Sequence, residues 1–144
     1  LQTLSKAWGL AGLRLGMCFA SEEIIHVLNK IKYPYNINSV TQQIVYDTLL
    51  NADQMIIRVH TILQEREKLK DTLLALKIVT KVFSSDANFL LVKVLNPKSV
   101  YQNLIKKGIV VRDRSSIPGC EDCLRITVGT PQENESLINM LKTL

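Results

Sequence analysis

From Ser5 to Gly16 the chain reads S-K-A-W-G-L-A-G-L-R-L-G, and three of these side chains can do chemistry together. Lys6 is flanked by a hydroxyl and by small apolar residues. That setting lets an amine occupy a pocket, where desolvation and neighbouring cations expose it as a nucleophile. Gly9 and Gly12 permit a tight turn and a close approach of backbone to ligand. Ser5 offers a hydroxyl, and Arg14 a planar fork matched to phosphate oxygens. Amine, hydroxyl and guanidinium together suit a phosphorylated aldehyde: the amine condenses with the carbonyl and the other two hold the phosphate. On spacing alone, a surface lysine beside a glycine-rich turn accounts for the same residues. A second set of cations lies downstream. Arg125 sits at a strand end and can clamp a carboxylate or phosphate through two hydrogen bonds. Arg112, in the strand before it, can form an ion pair with Asp113 or Glu121. Arg114 reads as a surface residue.

These residues need elements to hold them. Leu15 to Ala20 is a short apolar run that predicts a buried strand. Ser21-Glu22-Glu23 starts a helix whose apolar face is Ile24, Ile25, Val27, Leu28 and Ile31. Tyr33-Pro34 stops it, because the residue before proline disfavours helix. Ser39 is placed to cap a second helix, and a third, long helix follows a break near Asn51 to Asp53. Ile78 to Ser84 then alternates as a strand, and Asn88 to Leu95 is strongly β-prone. Asn96-Pro97 opens a helix that runs to Lys107 and ends at Gly108. Ile109 to Arg112 and Cys123 to Val128 predict two more strands. Thr130-Pro131-Gln132-Glu133 predicts a capping box at the start of the last helix. The fold class is α/β, a mostly antiparallel sheet with helices on one face. The Tyr33 to Asn38 loop marks the expected boundary, dividing residues 1–34 from 35–144.

Composition narrows the classes further. The 144 residues have the length of one domain, and 47% hydrophobic with 22% charged residues argues against disorder. No apolar run approaches the roughly 20 residues that cross a bilayer. Eighteen basic and 13 acidic residues give +5, which suits either a solvated surface or a bound anion. A nucleic-acid surface would interleave cations with aromatics, but the one Trp, four Tyr and three Phe are scattered. Cys18, Cys120 and Cys123 are too few for a secreted disulfide scaffold. The C-x-x-C of Cys120 and Cys123 is half a zinc site, with no second pair and with His26 and His60 far away in helical patterns. Ordinary thiols in a reducing compartment are expected, and no metal. The chain opens on Leu1 in mid-motif, without a signal-peptide pattern, and reads as a piece of a longer protein.

The first segment resembles the Schiff-base lysine motif of fold-type I, pyridoxal-phosphate-dependent aminotransferases, approximately S-K-x-x-x-x-x-G-x-R-x-G. Tyr33-Pro34-Tyr35-Asn36-Ile37-Asn38, Asn88-Phe89, Gly108 to Arg114 (G-I-V-V-R-D-R) and Leu124 to Pro131 (L-R-I-T-V-G-T-P) are similar to segments of its histidinol-phosphate branch. Together the matches span nearly the whole chain. The resemblance implies a remnant of the large cofactor-binding domain over 1–34 and a C-terminal small domain with the interdomain helix over 35–144. It implies pyridoxal 5′-phosphate as cofactor, Lys6 as the catalytic lysine, and Ser5 and Arg14 on the cofactor phosphate. Arg125, helped by Arg112, would bind the substrate's carboxylate or phosphate, and Tyr35 and Asn36 would line the substrate entrance, although a helix-stopping turn explains that pair equally. Asn88 is a further candidate near the substrate, and Trp8 reads as packing. The implied reaction moves an amino group between glutamate and imidazole-acetol phosphate in histidine biosynthesis. The implied setting is a cytoplasmic homodimer with small-molecule partners, no nucleic acid and no membrane. Alternatives are another fold-type I aminotransferase, a phosphate-substrate decarboxylase, or a non-catalytic anion-binding module. The family's remaining cofactor contacts lie upstream of the lysine, so these 144 residues alone are expected to be inactive.

Overall fold

The computed structural model describes residues 1–144. The chain forms two compact units, residues 1–59 and 60–144.

In the first unit, β1 (Gln2–Thr3) and β2 (Gly16–Met17) pair antiparallel, with Thr3 opposite Gly16. The chain between them makes one short 3-10 turn, Ala11–Leu13, and buries Leu4. The strand expected over Leu15 to Ala20 is corrected: only Gly16 and Met17 pair, and both are exposed. The partner strand is two residues long, so the ladder ends there, and Phe19 stands in solvent. Three helices follow: α1 (Glu22–Ile31), α2 (Ser39–Leu50) and α3 (Ala52–Leu74). Ser21 occupies the cap position of α1 without a capping bond from its side chain, and Glu22 and Glu23 complement the positive helix end. The cap of α2 is Asn38, not Ser39. Asn38 has the extended backbone a cap requires, and its Oδ1 accepts the Thr41 N–H at 2.8 Å. No residue of α1 is buried.

The second unit contains the rest of α3, then β3 (Val79–Val82), β4 (Phe89–Val94), α4 (Pro97–Lys106), β5 (Arg112–Asp113), β6 (Cys123–Thr127) and α5 (Pro131–Leu141). Its sheet has the order β3-β4-β6-β5 and every pair is antiparallel. Alternation sets the faces. Leu90, Val92 and Val94 of β4 and Leu124 and Ile126 of β6 point to one side, against Leu69 and Leu73 of α3, Val100 and Leu104 of α4, and Leu137, Ile138 and Leu141 of α5. All three helices therefore cover the same face, as the sequence predicts. β5 begins at Arg112, later than expected. Gly108, at φ 75°, ends α4, and the Ile109 N–H turns back to the Leu104 carbonyl at 3.0 Å. That bond commits the chain to the helix end before it can join the ladder.

Two polar devices fix α5. Thr130 and Glu133 form the predicted capping box, with the Thr130 N–H donating to Glu133 at 2.7 Å. Behind it, Asn134 is buried. Its Nδ2 donates to Glu65 Oε2 at 3.1 Å and to the Gly129 carbonyl at 3.2 Å, and its Oδ1 accepts the Gly129 N–H at 2.9 Å. Lys68 completes the site by donating to Glu65 Oε1 at 2.9 Å. Lys68 first, and Asn134 next, hold the Glu65 carboxyl below the ordinary glutamate range. The Thr130 N–H does the same for Glu133.

Replacing Thr130 with Ala should lower stability by about 0.5–2 kcal/mol, measured by chemical denaturation. Carboxyls held low contribute stability that is present above their ordinary pKa near 4.3 and lost as pH falls through the lower folded values. The denaturation midpoint should therefore drop on acidification below about pH 4. Glu133→Gln, which keeps an acceptor but not the charge, should make that drop shallower.

Candidate functional site

The Lys6 segment is a loop hung on a two-strand ladder. The pairs Gln2 with Met17 and Thr3 with Gly16, and the Leu4 N–H to Leu15 carbonyl bond at 3.3 Å, set the register. Ser5 and Arg14 are the next residues beyond this register on either side of the loop, where the Leu10 N–H donates to the Leu4 carbonyl at 3.0 Å and the ladder stops. Lys6 begins the loop and is exposed, with the Gly9 N–H closing a turn onto its carbonyl at 2.9 Å. Thr3, which the sequence reading passed over, fixes Ser5. Its Oγ1 donates to Ser5 Oγ at 2.8 Å and accepts the Ser5 N–H at 3.1 Å, leaving the Ser5 hydroxyl proton free to give. Arg14 has left-handed backbone, φ 55° and ψ 34°, a conformation that costs a side-chain-bearing residue about 1–2 kcal/mol. Its Nη1 reaches the Ala11 carbonyl at 3.3 Å, and no carboxylate pairs with it. The loop thus presents an amine, a hydroxyl donor and an unpaired guanidinium, the donor set that a phosphorylated aldehyde requires.

The second candidate group lies on the sheet face away from the helices of its unit. Arg112 of β5 stands directly opposite Arg125 of β6. The Arg114 N–H bonds the Cys123 carbonyl at 2.9 Å, so the ladder continues and Arg114 falls two residues on, on the same face. Like charges in such positions repel. No carboxylate is within ion-pairing distance of any of the three. The ion pair considered for Arg112 is absent because Asp113 alternates to the other face and accepts the Ser115 N–H at 2.8 Å, which keeps its carboxyl low. Glu121 instead accepts the Gly119 N–H at 2.9 Å.

Burial first, then Arg114 and Arg112, push the Arg125 pKa down. Its Nε is shielded from water and has no partner. The guanidinium lies 4.9 Å from the centre of the Phe89 ring. Phe89 of β4 pairs with Thr127 and Leu91 pairs with Arg125, so ring and cation are diagonal neighbours on one face. Three guanidiniums lie together without a carboxylate partner, one of them resting on an aromatic ring, and such a group can donate hydrogen bonds to an anion.

Sequence reasoning missed Thr3, Phe89 and Arg114 as members of these groups. The two-residue spacing of Arg112 and Arg114 carried the signal for Arg114. That Phe89 supports Arg125 required knowing which strands pair. Tyr35 and Asn36 lie in the exposed turn between α1 and α2. Trp8 is half-buried, and Asn88 is exposed, its carbonyl accepting the Val128 N–H at 2.9 Å.

Residues 1–141 match the family description "Aminotransferase class I and II", and the chain belongs to that family. It is 55% identical over 144 residues to the histidinol-phosphate aminotransferase of Parabacteroides distasonis, covering 100% of this chain and 42% of that protein. It is 50% identical over 143 residues to that of Flavobacterium johnsoniae, covering 99% and 41%. Among solved structures, a putative aminotransferase from Burkholderia pseudomallei superposes with a TM-score of 0.88 at 28% identity, over 97% of this chain and 42% of that one. The chain spans about two fifths of the length of the curated relatives it matches.

Phe89→Leu keeps an apolar side chain but removes the ring under Arg125. A cation over a ring at an exposed site is worth about 0.5–1 kcal/mol, which is about two- to fivefold in affinity. Titration with inorganic phosphate, followed through the Arg125 Nε–Hε resonance, should show weakening of that size with the Thr130-to-Glu133 cap intact.

Proposed function

We propose that the full-length protein carrying these residues is a pyridoxal-phosphate-dependent histidinol-phosphate aminotransferase, which moves an amino group between glutamate and imidazole-acetol phosphate in histidine biosynthesis. The observation that carries this reading is the Lys6 loop, in which Ser5 and Arg14 lie just beyond the two-pair ladder that closes the loop and Lys6 is exposed between them. The 55% identity to a relative of that name supports it.

Ser5 and Arg14 fit the cofactor phosphate, one as a hydroxyl donor and the other as an unpaired guanidinium. When bound, the cofactor supplies an electron sink for the charge that develops at the substrate Cα. Lys6 would hold the cofactor, and its amine, when free, would take the substrate's Cα proton as general base and return it as general acid. Arg125 and Arg112 orient the substrate through its carboxylate in one half-reaction and its phosphate in the other. Phe89 keeps the Arg125 plane in place. Tyr35 and Asn36 border the entrance. Residues 1–34 belong to the large cofactor-binding domain and 35–144 to the small domain of a cytoplasmic homodimer, so these 144 residues alone are inactive.

The test is borohydride reduction of the full-length protein with pyridoxal phosphate, followed by peptide mapping and an assay with glutamate and imidazole-acetol phosphate. Label on Lys6, lost together with turnover in Lys6→Ala, is the expected result. Label elsewhere, or no amino transfer between these two substrates, overturns the reading. The 144-residue chain should give no turnover under the same conditions.

A further inference from the structure

The link between β5 and β6 carries two thiols three residues apart, Cys120 and Cys123. The Cys123 N–H donates to the Cys120 carbonyl at 3.0 Å and closes a four-residue turn. Asp122 in its third position has φ 61°, the left-handed conformation that a type II turn demands there. Such a turn holds its first and fourth Cα atoms within about 7 Å. Disulfides span Cα separations of about 4.4–6.8 Å. The backbone has thus already made the approach that a bond between these sulfurs needs.

The two thiols differ in access. Cys123 is 1% exposed, and its Sγ donates to the Glu121 carbonyl within the turn at 3.5 Å. Cys120 is partly exposed. Burial first, and the neighbouring Cys120 next, push the Cys123 thiol up. Cys18, in the first unit, is exposed and lies in a sequence with no second cysteine near it.

We propose that Cys120 and Cys123 are a reversible thiol-oxidation site that a small disulfide such as oxidised glutathione converts to an intrachain bond. The Cys120 thiolate attacks one glutathione sulfur, forming a mixed disulfide and expelling the other glutathione as thiolate. Cys123 then gives up its proton to that thiolate, attacks the Cys120 sulfur and releases the second glutathione. Two protein thiols are oxidised and one glutathione disulfide is reduced to two thiols. The bond fixes the turn from which β6 leaves, two residues ahead of Arg125. This inference stands apart from the proposed catalytic function.

The experiment equilibrates the full chain with defined ratios of oxidised and reduced glutathione, quenches with acid, alkylates free thiols and maps peptides by mass. The expected product is a peptide holding Cys120 and Cys123 unalkylated and two hydrogens lighter, with Cys18 never bonded to either. In Cys120→Ser the light peptide should vanish and Cys123 should stay alkylatable after unfolding. Alkylation of both residues at ratios that already glutathionylate Cys18 would overturn the proposal, as would chains joined to one another through Cys120.

Discussion

The pairing of β4 with β6 is the constraint on which the second unit depends. Five cross-strand pairs, from Phe89 with Thr127 to Lys93 with Cys123, run along the middle of the sheet. On one side they bring Leu90, Val92, Leu124 and Ile126 together under three helices, each at 0–2% exposure. On the other side the same pairs set Arg125 beside Phe89. The core and the arginine cluster are two faces of one ladder. The large apolar burial on the first face holds the arginines of the second in register despite their mutual repulsion.

A different economy governs the first unit. Leu4, Thr41 and Val45 are its only buried residues, and the apolar side of α1 faces outward. The Lys6 loop therefore owes its shape to local hydrogen bonds: the two-pair ladder, the Thr3 and Ser5 hydroxyls, and the turn at Gly9. Strain at Arg14 sits where the candidate chemistry is, a place where such cost is commonly found.

Much of this was legible in the sequence because the signals were local. Thr130-Pro131-Gln132-Glu133 announces its capping box by residue type and spacing alone, whereas the Lys6 segment becomes a candidate only through its resemblance to a known motif. The order of helices and strands followed from changes of hydrophobic period. What failed depended on partners distant in sequence. The run from Leu15 to Ala20 has strand composition, but pairing decides a strand's length, and β1 offers two residues. Ser39 and Asn38 are both good caps by type, and backbone dihedral angles chose between them. Ile109 looks like strand and is instead tied to the end of α4. Nothing local reveals that β5 lies against β6, which makes Arg114 a neighbour of Arg125.

The ladder between β5 and β6 also decides where a change of chain length would part the facing arginines. A residue added or lost within Arg112–Asp113 or Cys123–Arg125 would send one arginine of the facing pair to the helix side of the sheet. The stretch from Ser115 to Gly119 pairs with no strand and carries none of the three arginines. A change of length there leaves the parity inside each strand, and so the facing of Arg112 and Arg125, as it is.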